Sequence, residues 1–134
     1  VMLNKSTDKR DQYEMILISE LVPSNHLLRR VDNILDLNFI YELVEDKYCL
    51  DNERQSIDLV ILVKILLIQR LFGIKSMRQT IKEIETNVAY RWYLGYSFLD
   101  KVPHFDTFSK NYTRRFHDTD LFEQIFERIL KIAI

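Results

Sequence analysis

Residues 57–72 read IDLVILVKILLIQRLF, and the fold follows from how that stretch can be buried. Twelve of its sixteen positions are apolar, and only Asp58, Lys64, Gln69 and Arg70 interrupt the run. A helix that is apolar nearly all round has to be enclosed by other helices or by lipid. A membrane span needs about 20 predominantly apolar residues, whereas the longest unbroken apolar run here is Leu59 to Val63. The stretch therefore reads as the buried central helix of an all-α domain.

The rest of the chain agrees with that choice. Its 134 residues are enough for one domain with a sizeable core, and 47% hydrophobic against 29% charged residues favours folding over disorder. Two Gly and two Pro are too few for the turns of a sandwich or barrel. A single cysteine, Cys49, excludes an internal disulfide and any multi-cysteine metal site, and fits a reducing cytoplasm. The opening residues are polar and lack the apolar core of a signal peptide.

Outward from the central helix, residues 1–14 read as a flexible tail and 15–134 as one helical unit. Met15 to Val22 is too short for its periodicity to separate a strand from a docking arm. Pro23-Ser24 opens a helix with Ser24 as cap and Leu27, Leu28, Val31, Ile34 and Leu35 as its buried stripe. Asp36 caps the next helix, with Leu37, Phe39, Ile40, Leu43 and Val44 as its apolar members. Ser56 is the expected cap of the central helix and Gly73 its stop. Ser76 and Gln79 form a capping box for a helix burying Met77, Ile81 and Ile84. In the segment after it, Val88, Trp92 and Tyr96 are expected to face the core. Asp106 is the expected cap of a further helix with Phe108, Tyr112 and Phe116 buried, and a last helix carries Leu121, Phe122, Ile125, Phe126, Ile129 and Leu130.

Charge is unevenly spread although the net is only −1. Residues 1–53 hold 6 basic and 11 acidic side chains, whereas Lys64 to Arg115 hold 10 basic against 4 acidic. A basic segment in a near-neutral chain is what a phosphate-facing surface needs, though an ordinary solvated face has the same composition. Residues 76–117 read as a helix-turn-helix-like trihelical unit, with a loop before its third helix that is long for that motif. Opposite the aromatic stripe of the third helix, Thr107, Lys110, Asn111 and Arg114 recur at i, i+3, i+4 and i+7. Asn111 can pair with adenine, Lys110 or Arg114 with guanine or phosphate, and Arg115 with phosphate. Arg78, Lys82 and Arg91 are further phosphate contacts.

Enzyme chemistry finds little support. His26, His104 and His117 are scattered without ligand spacing, so no metal site is expected. Cys49 lies among acidic residues, which would raise a thiol pKa and leave it unreactive. The carboxylate pairs have the pattern of caps and solvated faces, and two glycines cannot build a phosphate-cradling loop. No catalytic residue, cofactor, small-molecule substrate or membrane is expected.

Three segments, VPSNHLLRRVD (22–32), LVKILLIQRLFGIKSMRQTIKEIETNVAYRWYLGY (62–96) and VPHFDTFSKNYTRRF (102–116), resemble the amino-terminal domain of bacterial insertion-sequence transposases of the InsH-like group. Most specific are Leu71 to Ser76 with Arg78, Asn87 to Gly95, and Val102-Pro103 followed by Thr107-Phe108-Ser109. Similar proteins often read Pro-Asp-His-Ser-Thr-Phe where this chain has Pro103-His104-Phe105-Asp106-Thr107-Phe108. The resemblance implies a domain that binds double-stranded DNA at the terminal inverted repeats of its element, without catalysis of its own. It also implies that an RNase H-like domain bearing Asp, Asp and Glu would follow, beyond Ile134. Two other readings stay open: a dimerisation or protein-interaction module using the apolar last helix, and a truncated transposase acting as a regulator.

Overall fold

The computed structural model of the chain describes residues 5–42, 57–116 and 121–133, with the side chains of 114–116, 121, 122 and 133 left outside that description. Cys49, Ser56, Leu43, Val44 and His117 are likewise outside it. Every regular element among the described residues is helical. A 3₁₀ turn at Ile18–Leu21 precedes α1 (Leu27–Ile34), and a helical turn covers residues 39–42. There follow α2 (Leu59–Leu71), α3 (Met77–Thr86), α4 (Val88–Leu94), α5 (Phe105–Phe116) and α6 (Leu121–Ala133).

The central helix is α2, and it is enclosed as its composition requires. Leu59, Val60, Leu62, Val63, Ile65, Leu67 and Ile68 are all buried, with α3 and α4 packed directly on it. Its four polar interruptions are each accommodated. Asp58 is the N-cap, its Oδ1 accepting from the Val60 N–H at 2.9 Å. Its Oδ2 accepts from the Tyr41 hydroxyl at 2.7 Å, a bond that pushes the Tyr41 pKa up to about 12. Lys64 lies over the Tyr93 ring and its Nζ donates to the Tyr93 carbonyl at 3.1 Å. Gln69 Nε2 donates to the Ile74 carbonyl at 3.5 Å. The Arg70 guanidinium sits 5.3 Å from the Phe126 ring, against α6.

The helix stops where Gly73 takes φ +61°, and the Ile74 N–H closes back on the Gln69 carbonyl at 3.0 Å. This is the Schellman arrangement, and it needs a left-handed residue after the cap. A Cβ at Gly73 would meet nothing within 4 Å, so the cost of a side chain there is conformational alone. Gly73→Ala should lower unfolding free energy by about 1 kcal/mol in urea titration, and an unchanged midpoint would contradict this geometry.

Several local expectations need correction. The cap of α1 is His26, whose Nδ1 accepts from the Leu28 N–H at 3.1 Å, in place of Ser24. Of the stripe assigned to α1, Leu28 is fully buried while Leu27 and Ile34 are 41% and 59% exposed. Residues 15–17 are irregular and solvent-facing, and the 3₁₀ turn after them packs on α4. Arg29 fixes that turn: its Nη2 donates to the carbonyls of Ser19 and Val22, and its guanidinium covers the Trp92 ring at 4.4 Å. On α4 the fully buried side chains are Tyr90, Arg91, Tyr93 and Leu94, while Trp92 and, beyond the helix end, Tyr96 pack half-buried against the core as expected. The short helix packs against α1, α2 and α3 together, so no single stripe describes its covered surface.

The Ser76 cap of α3 is as expected, its hydroxyl accepting from the Gln79 N–H at 3.1 Å. Asn87, not among the expected caps, ends α3 and begins α4, its Oδ1 accepting from the Tyr90 N–H at 3.1 Å. On α6, Ile125 and Ile129 are buried in the same core, while Leu130 is 61% exposed.

Candidate nucleic-acid interface

The cations assigned to the DNA face lie on α3 and α5, which pack against each other. Helix α3 carries Arg78 and Lys82 beside Glu83 and Glu85, and α5 carries Lys110, Arg114 and Arg115 beside Asp106. On α3, Ile81 and Ile84 are buried and Arg78 and Lys82 are exposed one turn apart. Arg78 is held in place, its guanidinium lying 4.3 Å from the ring centroid of Phe105, the first residue of α5. The two helices thus bring a fixed cation from α3 to the amino-terminal end of α5.

That end is capped by His104, in place of the expected Asp106. His104 Nδ1 accepts from the Asp106 N–H at 3.1 Å, and its carbonyl accepts from the Phe108 N–H at 2.9 Å. Asp106 falls in the first turn, a placement that the partial positive charge of the helix start favours. Its carboxylate lies 3.6 Å from the same His104 nitrogen, at the exposed surface.

Along α5, Phe108 is buried and stacks on Tyr112 at 6.4 Å between ring centroids. The outward face differs in phase from the one expected. Asp106, Ser109, Lys110 and Thr113 line a shallow open hollow on the surface, a set at i, i+3, i+4 and i+7. Lys110 belongs to this face. Thr113 is exposed with it, whereas Ser109 and Thr107 are both half-buried, and the Thr107 carbonyl accepts from Asn111 Nδ2 at 2.8 Å.

Asn111 and Arg91 are corrections to the expected site. Asn111 is 4% exposed, and its Oδ1 accepts from the Ile57 N–H at 3.0 Å. It ties α5 to the backbone just before α2, and a base edge cannot reach it. Arg91 is 8% exposed. Its Nε donates to the Glu85 carbonyl at 3.2 Å, and its Nη1 to the carbonyls of Ser97 and Asp100 at 2.7 and 2.9 Å. All these bonds go to the domain's own backbone, so Arg91 shapes the α4–α5 loop. Arg114 and Arg115 fall in the last turn of α5, but their side chains lie outside the described residues.

Sequence reasoning missed Ser109 and Thr113. The available signal was the helical phase: once Asn111 is assigned to the interior with Phe108, the outward set shifts by one residue. Among the described residues, no group of three or more His, Cys, Asp or Glu could hold a metal ion, and no helix is long and apolar enough to cross a membrane.

These features define a helical domain with a charged, polar flank built by α3 and α5 around an apolar central helix. The Transposase domain (DUF772) family matches residues 17–114. That span is most of the chain and contains α1 to α4 and nearly all of α5, and the protein belongs to that family. No curated protein and no solved structure matches the chain.

Proposed function

We propose that this domain binds double-stranded DNA at the terminal inverted repeats of its element, with α5 against the major groove and α3 against the backbone. The observation that carries the reading is the outward face of α5, where Lys110 stands between Ser109 and Thr113 in a transposase-family domain. An exposed helix with a lysine and two hydroxyls can donate to guanine or phosphate and exchange bonds with either type of base edge. Asp106 repels phosphate but can accept from a cytosine amino group, so it would favour base contact over indiscriminate backbone binding. Arg78, braced on Phe105, and Lys82 are suited to phosphate contacts that set orientation. Arg114 and Arg115 remain in the proposed surface on their sequence position in the last turn of α5. Strand cleavage is assigned to no residue of this chain.

Lys110→Ala tests the face directly. Affinity for a duplex carrying the inverted repeat should fall about tenfold, with the slope of log K against log salt reduced by about 1 if the contact is to phosphate. The melting temperature should not move, because Lys110 is exposed. Unchanged affinity would remove α5 from the interface.

A further inference from the structure

The loop joining α4 to α5 displays two apolar side chains in succession, Phe98 at 49% exposure and Leu99 at 94%. On a slack loop such exposure would carry little meaning. This loop is braced. The buried Arg91 guanidinium donates to the Ser97 and Asp100 carbonyls, and its Nε bond to the Glu85 carbonyl fixes the loop to the end of α3. The Ser97 N–H donates to the Asp100 carboxylate at 2.8 Å, and the Asp100 N–H closes back on the Ser97 carbonyl at 3.4 Å. Phe98 and Leu99 are the two central residues of that four-residue turn. The bonds hold the turn's backbone against the domain and leave the apolar pair at the tip.

We propose that Phe98 and Leu99 form an apolar wedge that inserts at a base step of duplex DNA beside the site held by α5. The proposal rests on the DNA-binding reading above. Wedges of this kind need only one or two side chains such as Phe or Leu on a rigid support, and they unstack a step and kink the duplex.

Patch size separates this partner from a protein. Two such side chains offer roughly 300 Å² at most, whereas a stable protein interface takes about 800 Å² from each side. The neighbouring Ser97, Asp100 and Lys101 are exposed and polar. Charge around the tip is balanced: Lys101 and the Arg91 guanidinium beneath the turn stand against the exposed Asp100 and Glu85, so no net negative charge opposes a duplex there.

Spacing is also compatible. Arg78 meets the start of α5, and Glu85, seven residues further along α3, anchors the loop. That is on the order of 10 Å along the helix axis, comparable with the width of one DNA groove.

The test uses the 134-residue chain with two duplexes, one carrying the terminal inverted repeat of the encoding element and one scrambled at the same composition. Each carries a donor and acceptor dye at its ends and 2-aminopurine at successive positions. Wild-type protein should brighten 2-aminopurine at one step of the repeat duplex and shorten its end-to-end distance. Leu99→Ala and Phe98→Ala should each weaken binding roughly tenfold and abolish both signals, while Leu99→Met retains them. The Leu99 variants should leave the melting temperature unchanged, because Leu99 is 94% exposed, whereas Phe98→Ala removes a half-buried ring and is compared at matched folded fraction.

Wild-type binding without brightening or bending, or alanine variants that keep affinity and bend, would overturn the wedge and leave the DNA reading standing. Absence of binding to either duplex would overturn both. A dimer that becomes monomeric in Leu99→Ala while the bend persists would assign the tip to a protein contact and overturn the wedge.

Discussion

Arg91→Met is expected to destabilise the domain by about 3 kcal/mol and to lower its melting temperature by roughly 10 °C. Methionine keeps most of the apolar stem but none of the three hydrogen bonds. The carbonyls of Glu85, Ser97 and Asp100 would lose a charged donor at a site where Arg91 itself is 8% exposed. Glu85 lies in the last turn of α3, whose carbonyls have no partner within the helix. Arg91→Lys should recover little, because one ammonium cannot span acceptors on both the helix end and the loop. Thermal denaturation followed by circular dichroism measures the effect. A melting temperature within 2 °C of wild type, combined with weakened DNA binding, would restore Arg91 to the role of a phosphate contact.

The second large effect is expected in the central helix. Leu62 is fully buried at the end of the first turn of α2, and its replacement by alanine removes a side chain whose space the surrounding helices only partly refill. Such changes cost about 3–4 kcal/mol, a large share of the roughly 5–15 kcal/mol that holds a domain folded. The paired control is Leu130→Ala on α6. Leu130 is 61% exposed, so its truncation should stay within about 0.5 kcal/mol. Urea titration of the two variants compares the positions directly. Equal losses would show that α6 packs on another face, and a small loss at Leu62 would deny α2 its central place.

Much of this architecture was legible in the sequence, for physical reasons that can be named. An apolar stretch such as 57–72 has few ways to be buried, so its burial predicts the helices around it. Gly73, at φ +61°, stands where a left-handed residue ends a helix, and Ser76 caps through a short local bond that the sequence displays.

What was not legible depended on other kinds of partner. His26 and His104 cap through ring nitrogens, a role usually given to Ser, Thr, Asp or Asn, and both compete with such residues one or two positions away. Asn111 is polar and lies on an amphipathic helix, so pattern alone places it outside. Its burial is decided by the Ile57 N–H, 54 residues earlier in the chain. Arg91 is similar, since its acceptors are backbone carbonyls that leave no trace in residue type. The helix α5 was therefore legible, and the phase of its outward face required the three-dimensional arrangement.

End recognition is decided by fluorescence-anisotropy titration against the terminal inverted repeat and a scrambled duplex at two salt concentrations. Binding should be tighter to the repeat, with affinity that falls as salt rises. Absence of binding to both duplexes at low salt would contradict end recognition, and equal binding to the two would deny α5 any part in reading sequence.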